Sequence, residues 1–424
     1  MKPFEGLAFR PADILIPKSG FEKWSVVACD QHTSEPEYWE NTRDIVGDAP
    51  STLRLVLPEA WLGGEEDNAR RVAAINARMR SALSGGLLRE LPGALILVER
   101  TLTTGRTRRG LVGAIDLEKY DYAAGSESLI RPTEGTVLER IPPRVRIRRG
   151  APLEIPHIMM LIDDPDDTVI GPAARRAESL EKLYDFELMQ GGGRIRGFLA
   201  DGTAAEEAAA ALRNIESEEH FAEMYGKGRG PVMAYAVGDG NHSLASAKRC
   251  WDLIKAELTP AEALTHPARY ALVELVNLHD ESLGFAPIHR VVFGVDPEKL
   301  LGELFRYYPQ ASVGTGDPGA GYAYAGGSGS FCFGREGLPA GLIGEFLDDY
   351  TARRGGSVDY IHGEDVARRL GMGSGAVAFL LPAMRKDELF SAVLRDGSLP
   401  RKTFSMGRAQ DKRYYLEARK ITRL

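Results

Sequence analysis

The run from Pro231 to Lys248, Pro-Val-Met-Ala-Tyr-Ala-Val-Gly-Asp-Gly-Asn-His-Ser-Leu-Ala-Ser-Ala-Lys, constrains this chain more than any other stretch. Val232 to Val237 is an apolar run of strand length, the pattern of a strand buried on both faces. It ends at Gly238-Asp239-Gly240, where glycines permit backbone angles closed to other residues. Leu244, Ala247, Trp251, Ile254 and Leu258 then recur at helical spacings, which predicts an amphipathic helix. Strand, tight turn and helix start together aim backbone N–H groups at an anion. The turn carries Asp239, Asn241, His242 and Ser243, a set able to hold phosphate, orient a metal or move a proton. On motif shape alone, a capped helix with incidental polar side chains fits as well.

The chain has 424 residues, enough for two or three domains or one elaborated unit with a large core. A formal charge of −7 offers no polyphosphate-binding surface, which argues against nonspecific nucleic-acid binding. Cys29, Cys250 and Cys332 form no CxxC pair and read as reduced thiols of a cytoplasmic protein. No apolar run reaches membrane-spanning length, and Met-Lys-Pro-Phe-Glu lacks the apolar core of a signal peptide. The expectation is a cytoplasmic globular protein with neither membrane nor nucleic acid as partner.

Trp24 to Cys29 reads as a buried strand running into Asp30-Gln31-His32-Thr33-Ser34. A polar cluster after a buried strand is where α/β proteins place ligand contacts, so Asp30 and His32 are candidates. Thr33 or Ser34 can equally cap a helix, with Glu37 three residues on. Arg70–Leu88 has a helical apolar stripe, and Leu95–Arg100 with Arg109–Asp116 predicts a hairpin around Gly105. Arg144, Arg146 and Arg148 alternate with apolar residues, which predicts a strand with one guanidinium face. That face is either an anion clamp or a set of surface ion pairs, the latter favoured for Arg146 to Arg149. Thr133, Glu134, Arg140 and Arg144 stand out because Gly135 and Pro142-Pro143 frame them in fixed turns.

His157–Ile162 predicts a strand ending in Asp163, Asp164, Asp166 and Asp167, either a Mg²⁺ site or, with Pro165 among them, an acidic turn. Helices are expected over Ala173–Leu188 and Ala204–Tyr225. Tyr270–Asn277 is a strand leading to His279, and His289-Arg290 follow. Core histidines are common, but two His-bearing loops beside His242 favour a site. Gly314 to Gly319 formally matches GxGxxG; no strand–helix unit surrounds it and Pro318 sits inside, so it reads as a flexible hairpin region. Lys402 lies near the end of the chain with hydroxyl residues beside it.

The Asp239 turn resembles the D-G-H-H-R-x-x-x-A turn of a prokaryotic family of unknown function, DUF1015. That turn in turn looks like the G-x-H-R phosphate-contacting turn of ParB-like domains, sulfiredoxin and the archaeal free serine kinase. Further matches are His279-Asp280-Glu281, Pro287-Ile-His289-Arg290, Tyr360-Ile-His362 with Asp365, Ala378-Phe379-Leu-Leu-Pro382 and Leu399-Pro-Arg-Lys402-Thr403. Asn241 stands where the family has its first His, and Ser243 where it has Arg. Without that bidentate ligand, phosphate must lean on backbone N–H groups and other cations.

The expected class is mixed α/β with a mixed sheet: a ParB-like core over residues 1–295 and a second lobe over 296–424, with the ligand site between them. The resemblance implies phosphoryl transfer from a nucleotide or pyrophosphate to a small hydroxyl substrate such as free serine. Gly240, Asn241 and Ser243 would hold phosphate, with Glu134, Arg140, Arg144, His289, Arg290 and Lys402 lining the ligand site. Asp239 would bind Mg²⁺ or act as base, Asp30 would support it, and His242 would orient or transfer a proton. A phosphate-ester hydrolase and a noncatalytic nucleotide or metabolite sensor remain as alternatives.

Overall fold

The computed structural model describes residues 3–135, 141–400 and 402–423. It is a mixed α/β protein whose chain divides into two compact units, Met1–Leu283 with Gly407–Leu424, and Gly284–Met406.

The first unit is built on a nine-stranded mixed sheet. Its order is Lys182–Glu187, Arg194–Leu199, Ile96–Thr101, Thr107–Asp116, Tyr270–Asn277, Met159–Ile162, Tyr235–Asp239 and Ile130–Pro132, with Phe9–Arg10 paired to Thr107–Asp116. Two neighbours run parallel, Tyr270–Asn277 with Met159–Ile162 and Tyr235–Asp239 with Ile130–Pro132; the rest are antiparallel. Both faces are covered, which is why Tyr270–Asn277 is apolar on both faces apart from Glu274 and its ends. Ala271, Val273 and Leu275 face a core completed by Ala208 and Leu212 of the helix Gly202–Ile215 and Leu244 and Trp251 of the helix Asn241–Lys255. Leu272 faces the opposite core, built from Ile14, Trp24 and Val26 and from Tyr414 and Leu416 of the returning chain. Each fully buried aliphatic side chain stabilises such a core by roughly 1.5–3 kcal/mol.

Period-two alternation also puts Glu274 on that second face, where it is 1% exposed. Arg413 answers it at 2.5 Å and also meets Glu417 at 2.6 Å. These buried pairs fasten the returning segment across the sheet.

The second unit is a seven-stranded antiparallel sheet in the order Ser312–Val313, Gly327–Cys332, Gly319–Tyr324, Ala376–Leu380, Phe285–Phe293 and Ser357–His362, with Phe404–Met406 on the first residues of Phe285–Phe293. Helices Pro297–Tyr307 and Pro339–Arg354 cover one face through Leu300, Leu304, Ile343 and Phe346, and Ala367 of Glu364–Gly371 packs on the other. The glycine-rich region is a hairpin, Gly319–Tyr324 against Gly327–Cys332. Among the described residues no helix is long and apolar enough to cross a membrane.

Three local expectations are corrected. Arg144 to Arg149 lie in an α-helix, Ile141–Arg149, and not in a strand. Pro142 and Pro143 suit the first turn of a helix, and Ile141 and Val145, four apart, pack on Ala245. A helix over 173–188 gives way to Gly171–Arg175 and the strand Lys182–Glu187, whose Tyr184 and Phe186 alternate inward. The helix after Ser34 is Pro36–Val46, with Glu35 at its N-cap and no side-chain cap, so neither Thr33 nor Ser34 caps it.

Candidate functional site

The strand Tyr235–Asp239 passes through Gly240 directly into the 15-residue helix Asn241–Lys255. Gly240 has φ +81°, and a Cβ there would lie 3.1 Å from Ile158 Cγ1 and 3.2 Å from its Cα, so only glycine fits the corner. No side-chain hydrogen bond caps this helix at Gly240.

Asn241 supports the turn from within. Its Oδ1 accepts the Thr133 N–H at 3.2 Å, and its Nδ2 donates to Thr133 Oγ1 at 3.2 Å. Thr133 Oγ1 in turn donates to the Val237 carbonyl at 2.6 Å. The carboxamide is thus engaged in joining the turn to the strand Ile130–Pro132, and Glu134, half-buried, follows Thr133 directly. His242 is half-buried at the second helical position, its carbonyl accepting from Ser246 Oγ at 2.7 Å.

Two ion pairs meet at the turn. Asp239 Oδ1 accepts the Gly240 N–H at 2.9 Å, and Oδ2 lies 3.0 Å from Lys412 Nζ, with the two side chains 19% and 13% exposed. Asp30 Oδ2 lies 3.6 Å from His157 Nε2, and Asp30 Oδ1 accepts from Gln31 at 3.0 Å. Ser243 Oγ approaches the same His157 Nε2 at 3.5 Å.

Behind them, Tyr415 contacts both Cys29 and His157. The Tyr415 oxygen accepts the Cys29 N–H at 3.2 Å, its proton goes to Cys29 Sγ at 3.0 Å, and His157 Nδ1 stands 3.1 Å away. The direction of the Tyr415–Nδ1 hydrogen bond follows the ring's tautomer. Nε2 faces the Asp30 carboxylate, which favours a charged ring. Burial disfavours that charge, but Asp30, and after it Asp239, outweigh burial and raise the His157 pKa above its ordinary value. Burial likewise pushes Asp30 up, yet His157, Gln31 and Lys412 together hold its carboxyl well below the usual range. Burial and the Asp30 charge push the Cys29 thiol up to about 12, so it is no nucleophile at neutral pH.

The geometry excludes a serine-hydrolase relay. Such a relay needs the carboxylate on Nδ1 and the hydroxyl on Nε2. Here Asp30 and Ser243 both face Nε2 and Nδ1 faces Tyr415.

Of the cationic candidates, Arg144 pairs with Glu59, and its charge is felt by His157 and Cys29. Arg146 pairs with Glu65, Arg148 with Glu154 and Arg149 with Glu257. Arg140 lies outside the described residues. In the second unit, His289 Nδ1 accepts the Leu381 N–H at 3.1 Å, while Arg290 stacks on Tyr360 and donates to the Lys402 carbonyl at 3.1 Å. His279 sits beyond the end of Tyr270–Asn277, its Nε2 2.6 Å from Asp163 Oδ1. Asp239 pairs with Met159 at the start of Met159–Ile162 and Asp163 follows its end, so His279 lies at the opposite sheet edge from the turn.

Among the described residues no group of three or more His, Cys, Asp or Glu side chains is arranged to hold a metal ion. The acidic run after Ile162 builds its own turn: Asp164 accepts from Thr168 and the Val169 N–H, each at 2.9 Å, and Asp167 from the Gly171 N–H at 3.1 Å.

Sequence reasoning missed Lys412, His157 and Tyr415. Lys412 lies in Asp411-Lys-Arg-Tyr-Tyr-Leu-Glu417, whose mixture of charge and aromatics gives no periodic signal. His157 was hidden as the first residue of an apolar run.

Comparison with solved structures finds a free serine kinase in complex with AMP, 11% identical with a TM-score of 0.37, covering 73% of this chain and 90% of that one. SbnI with a C-terminal truncation, from Staphylococcus aureus, is 11% identical with a TM-score of 0.36, covering 70% and 82%. A conserved hypothetical protein from Pyrococcus furiosus is 13% identical with a TM-score of 0.33, covering 69% and 89%. No curated protein matches the chain. The family model described as "Protein of unknown function (DUF1015)" matches residues 1–420, so the chain belongs to that family.

Proposed function

We propose that the Asp239–Ser243 turn binds the phosphate of a nucleotide or pyrophosphate and passes a phosphoryl group to a small hydroxyl substrate. The observation that carries this reading is the meeting of Lys412 and His157 with the uncapped start of a long helix. Uncapped N–H groups and half-buried cations are the ingredients of a phosphate cradle. Lys412 supplies the positive charge lost where Ser243 replaces the family's Arg.

Each residue has a task. The N–H groups at Asn241 to Ser243 and the Lys412 ammonium take the phosphate oxygens. As Lys412 turns to phosphate, Asp239 Oδ2 is released to take the hydroxyl's proton while the hydroxyl oxygen bonds to the terminal phosphorus. The bridging P–O bond breaks, and the rest of the nucleotide or pyrophosphate leaves with the bridging oxygen. The His157 imidazolium, held by Asp30 and Tyr415, balances negative charge at Ser243. Asp239 and Asp30 would hold Mg²⁺ brought by the donor, which when bound neutralises phosphate charge. Glu134 and His242 border the same turn and would contact the substrate.

The test incubates the purified protein with L-serine and Mg²⁺ against ATP, ADP or pyrophosphate and follows phosphorus NMR. A new monoester that requires serine is the expected result. Donor breakdown independent of serine would move the assignment to a hydrolase. Saturable nucleotide binding with no turnover would make the protein a sensor.

A further inference from the structure

We infer that the second unit carries its own small-molecule site, a cavity that takes a small zwitterion of the α-amino-acid type. The cavity, of about 320 Å³, lies between the glycine-rich hairpin and the start of the helix Glu364–Gly371. Gly314 and Gly319 form one wall, Leu380 and Pro382 another, and Glu364 and Arg368 supply its charge. That volume lies at the lower end of the range of small-molecule pockets.

Glycine lets the backbone on this side close up. A Cβ on Gly319 would meet the Gly316 carbonyl oxygen at 2.3 Å and the Phe331 carbonyl oxygen at 2.8 Å. A Cβ on Gly321, also in the lining, would lie 3.2 Å from Leu380 Cβ. The glycines that suggested a flexible hairpin in the sequence therefore serve the close approach of this wall's own backbone.

The two charges select the ligand class. Glu364 Oε1 and Arg368 Nη2 are 2.6 Å apart, one turn apart on the helix, with side chains 54% and 45% exposed. An exposed i, i+4 pair of this kind is a weak interaction, so a ligand separates it at small cost. A lone anion would meet Arg368 but be repelled by Glu364, and a lone cation the reverse. A molecule carrying both charges one or two bonds apart replaces one weak pair with two charge-assisted contacts.

His289 stands behind this cavity with its tautomer set. The Leu381 N–H, from another lining residue, donates to His289 Nδ1 at 3.1 Å, so Nε2 carries the ring proton. Burial lowers the His289 pKa; Glu364 opposes burial, while Arg290, Arg368 and His362 reinforce it. His289 is therefore a neutral N–H donor at neutral pH, within the field of both cavity charges. None of this depends on the phosphate reading of the first unit.

The experiment is calorimetric titration of the full chain with glycine and L-alanine, alongside acetate, methylammonium and inorganic phosphate. Glycine or L-alanine should bind saturably, and each singly charged probe roughly tenfold or more weakly. Glu364→Gln and Arg368→Gln should each weaken amino-acid binding by at least about tenfold with the melting temperature preserved, because both side chains are half exposed. Arg353→Gln, which breaks a similar helical pair with Asp349, is the control and should leave binding unchanged. Acetate or phosphate binding as tightly as glycine, unchanged binding in both cavity variants, or equal loss in the control would overturn the assignment. So would the absence of saturable binding by either amino acid.

Discussion

Lys412 Nζ lies 3.0 Å from Asp239 Oδ2 although the whole of the second unit separates the two residues in the chain. The pair is more than four-fifths buried, at 13% and 19% side-chain exposure, so neither charge can be removed without consequence for the other. Asp239→Asn and Lys412→Met should each weaken nucleotide binding roughly ten- to hundredfold, the worth of one charge-assisted contact. The double variant should regain thermal stability relative to Lys412→Met, because no unpaired carboxylate remains, yet stay defective in binding. Isothermal titration and melting curves on the four proteins test this. Full affinity in Lys412→Met would remove Lys412 from the site.

The Asp30–His157 pair makes a signed pH prediction. His157 has a folded-state pKa above its ordinary 6.5, so its contribution is complete below 6.5 and lost as pH rises through the folded value. Asp30 has a depressed pKa, so its contribution is present above its ordinary 3.8 and lost as pH falls through the folded value. The pair is strongest between those limits. NMR titration should show the His157 ring titrating above 6.5 and shifting downward in Asp30→Asn. A ring titrating below 6.5 in the wild-type protein would contradict the imidazolium assignment.

Arg413 is 2% exposed between Glu274 and Glu417, which are 1% and 0% exposed. Arg413→Met strands two buried carboxylates and should destabilise the first unit by about 3–5 kcal/mol. Chemical denaturation should show that loss. A change below about 1 kcal/mol would mean that water or relaxation replaces the arginine.

Gly240→Ala must hold φ +81° and press a methyl group against Ile158. The strain alone should cost about 1–3 kcal/mol, and the displaced helix start should weaken phosphate binding as well. Gly6→Ala also sits at positive φ, but with open space around it, and separates backbone strain from collision. Equal losses in the two variants would show that contact with Ile158 is immaterial.

Local pattern carried much of the fold. Tyr270–Asn277, the hairpin of Ile96–Thr101 with Thr107–Asp116, and the glycine-rich hairpin follow from apolar runs and turn residues a few positions apart. Arg144 to Arg149 misled because alternation over so short a span also satisfies an i, i+4 helical stripe, and the neighbouring Ala245 decided between them. Likewise the Asp239 turn was visible as strand, glycine and helix, whereas its partners were not. Tyr415 lies 258 residues from His157, and only the packed sheet brings them together. Glu274 looked like a break in an apolar strand, since the arginine that answers it lies 139 residues away.

The strands that lead into and out of the second unit are each other's neighbours, Phe285 being paired with Met406. The segment that carries Lys412, Arg413 and Tyr415 follows the whole second unit in the chain. During synthesis the pairs at Asp239 and Glu274 therefore cannot close until the second unit has been made.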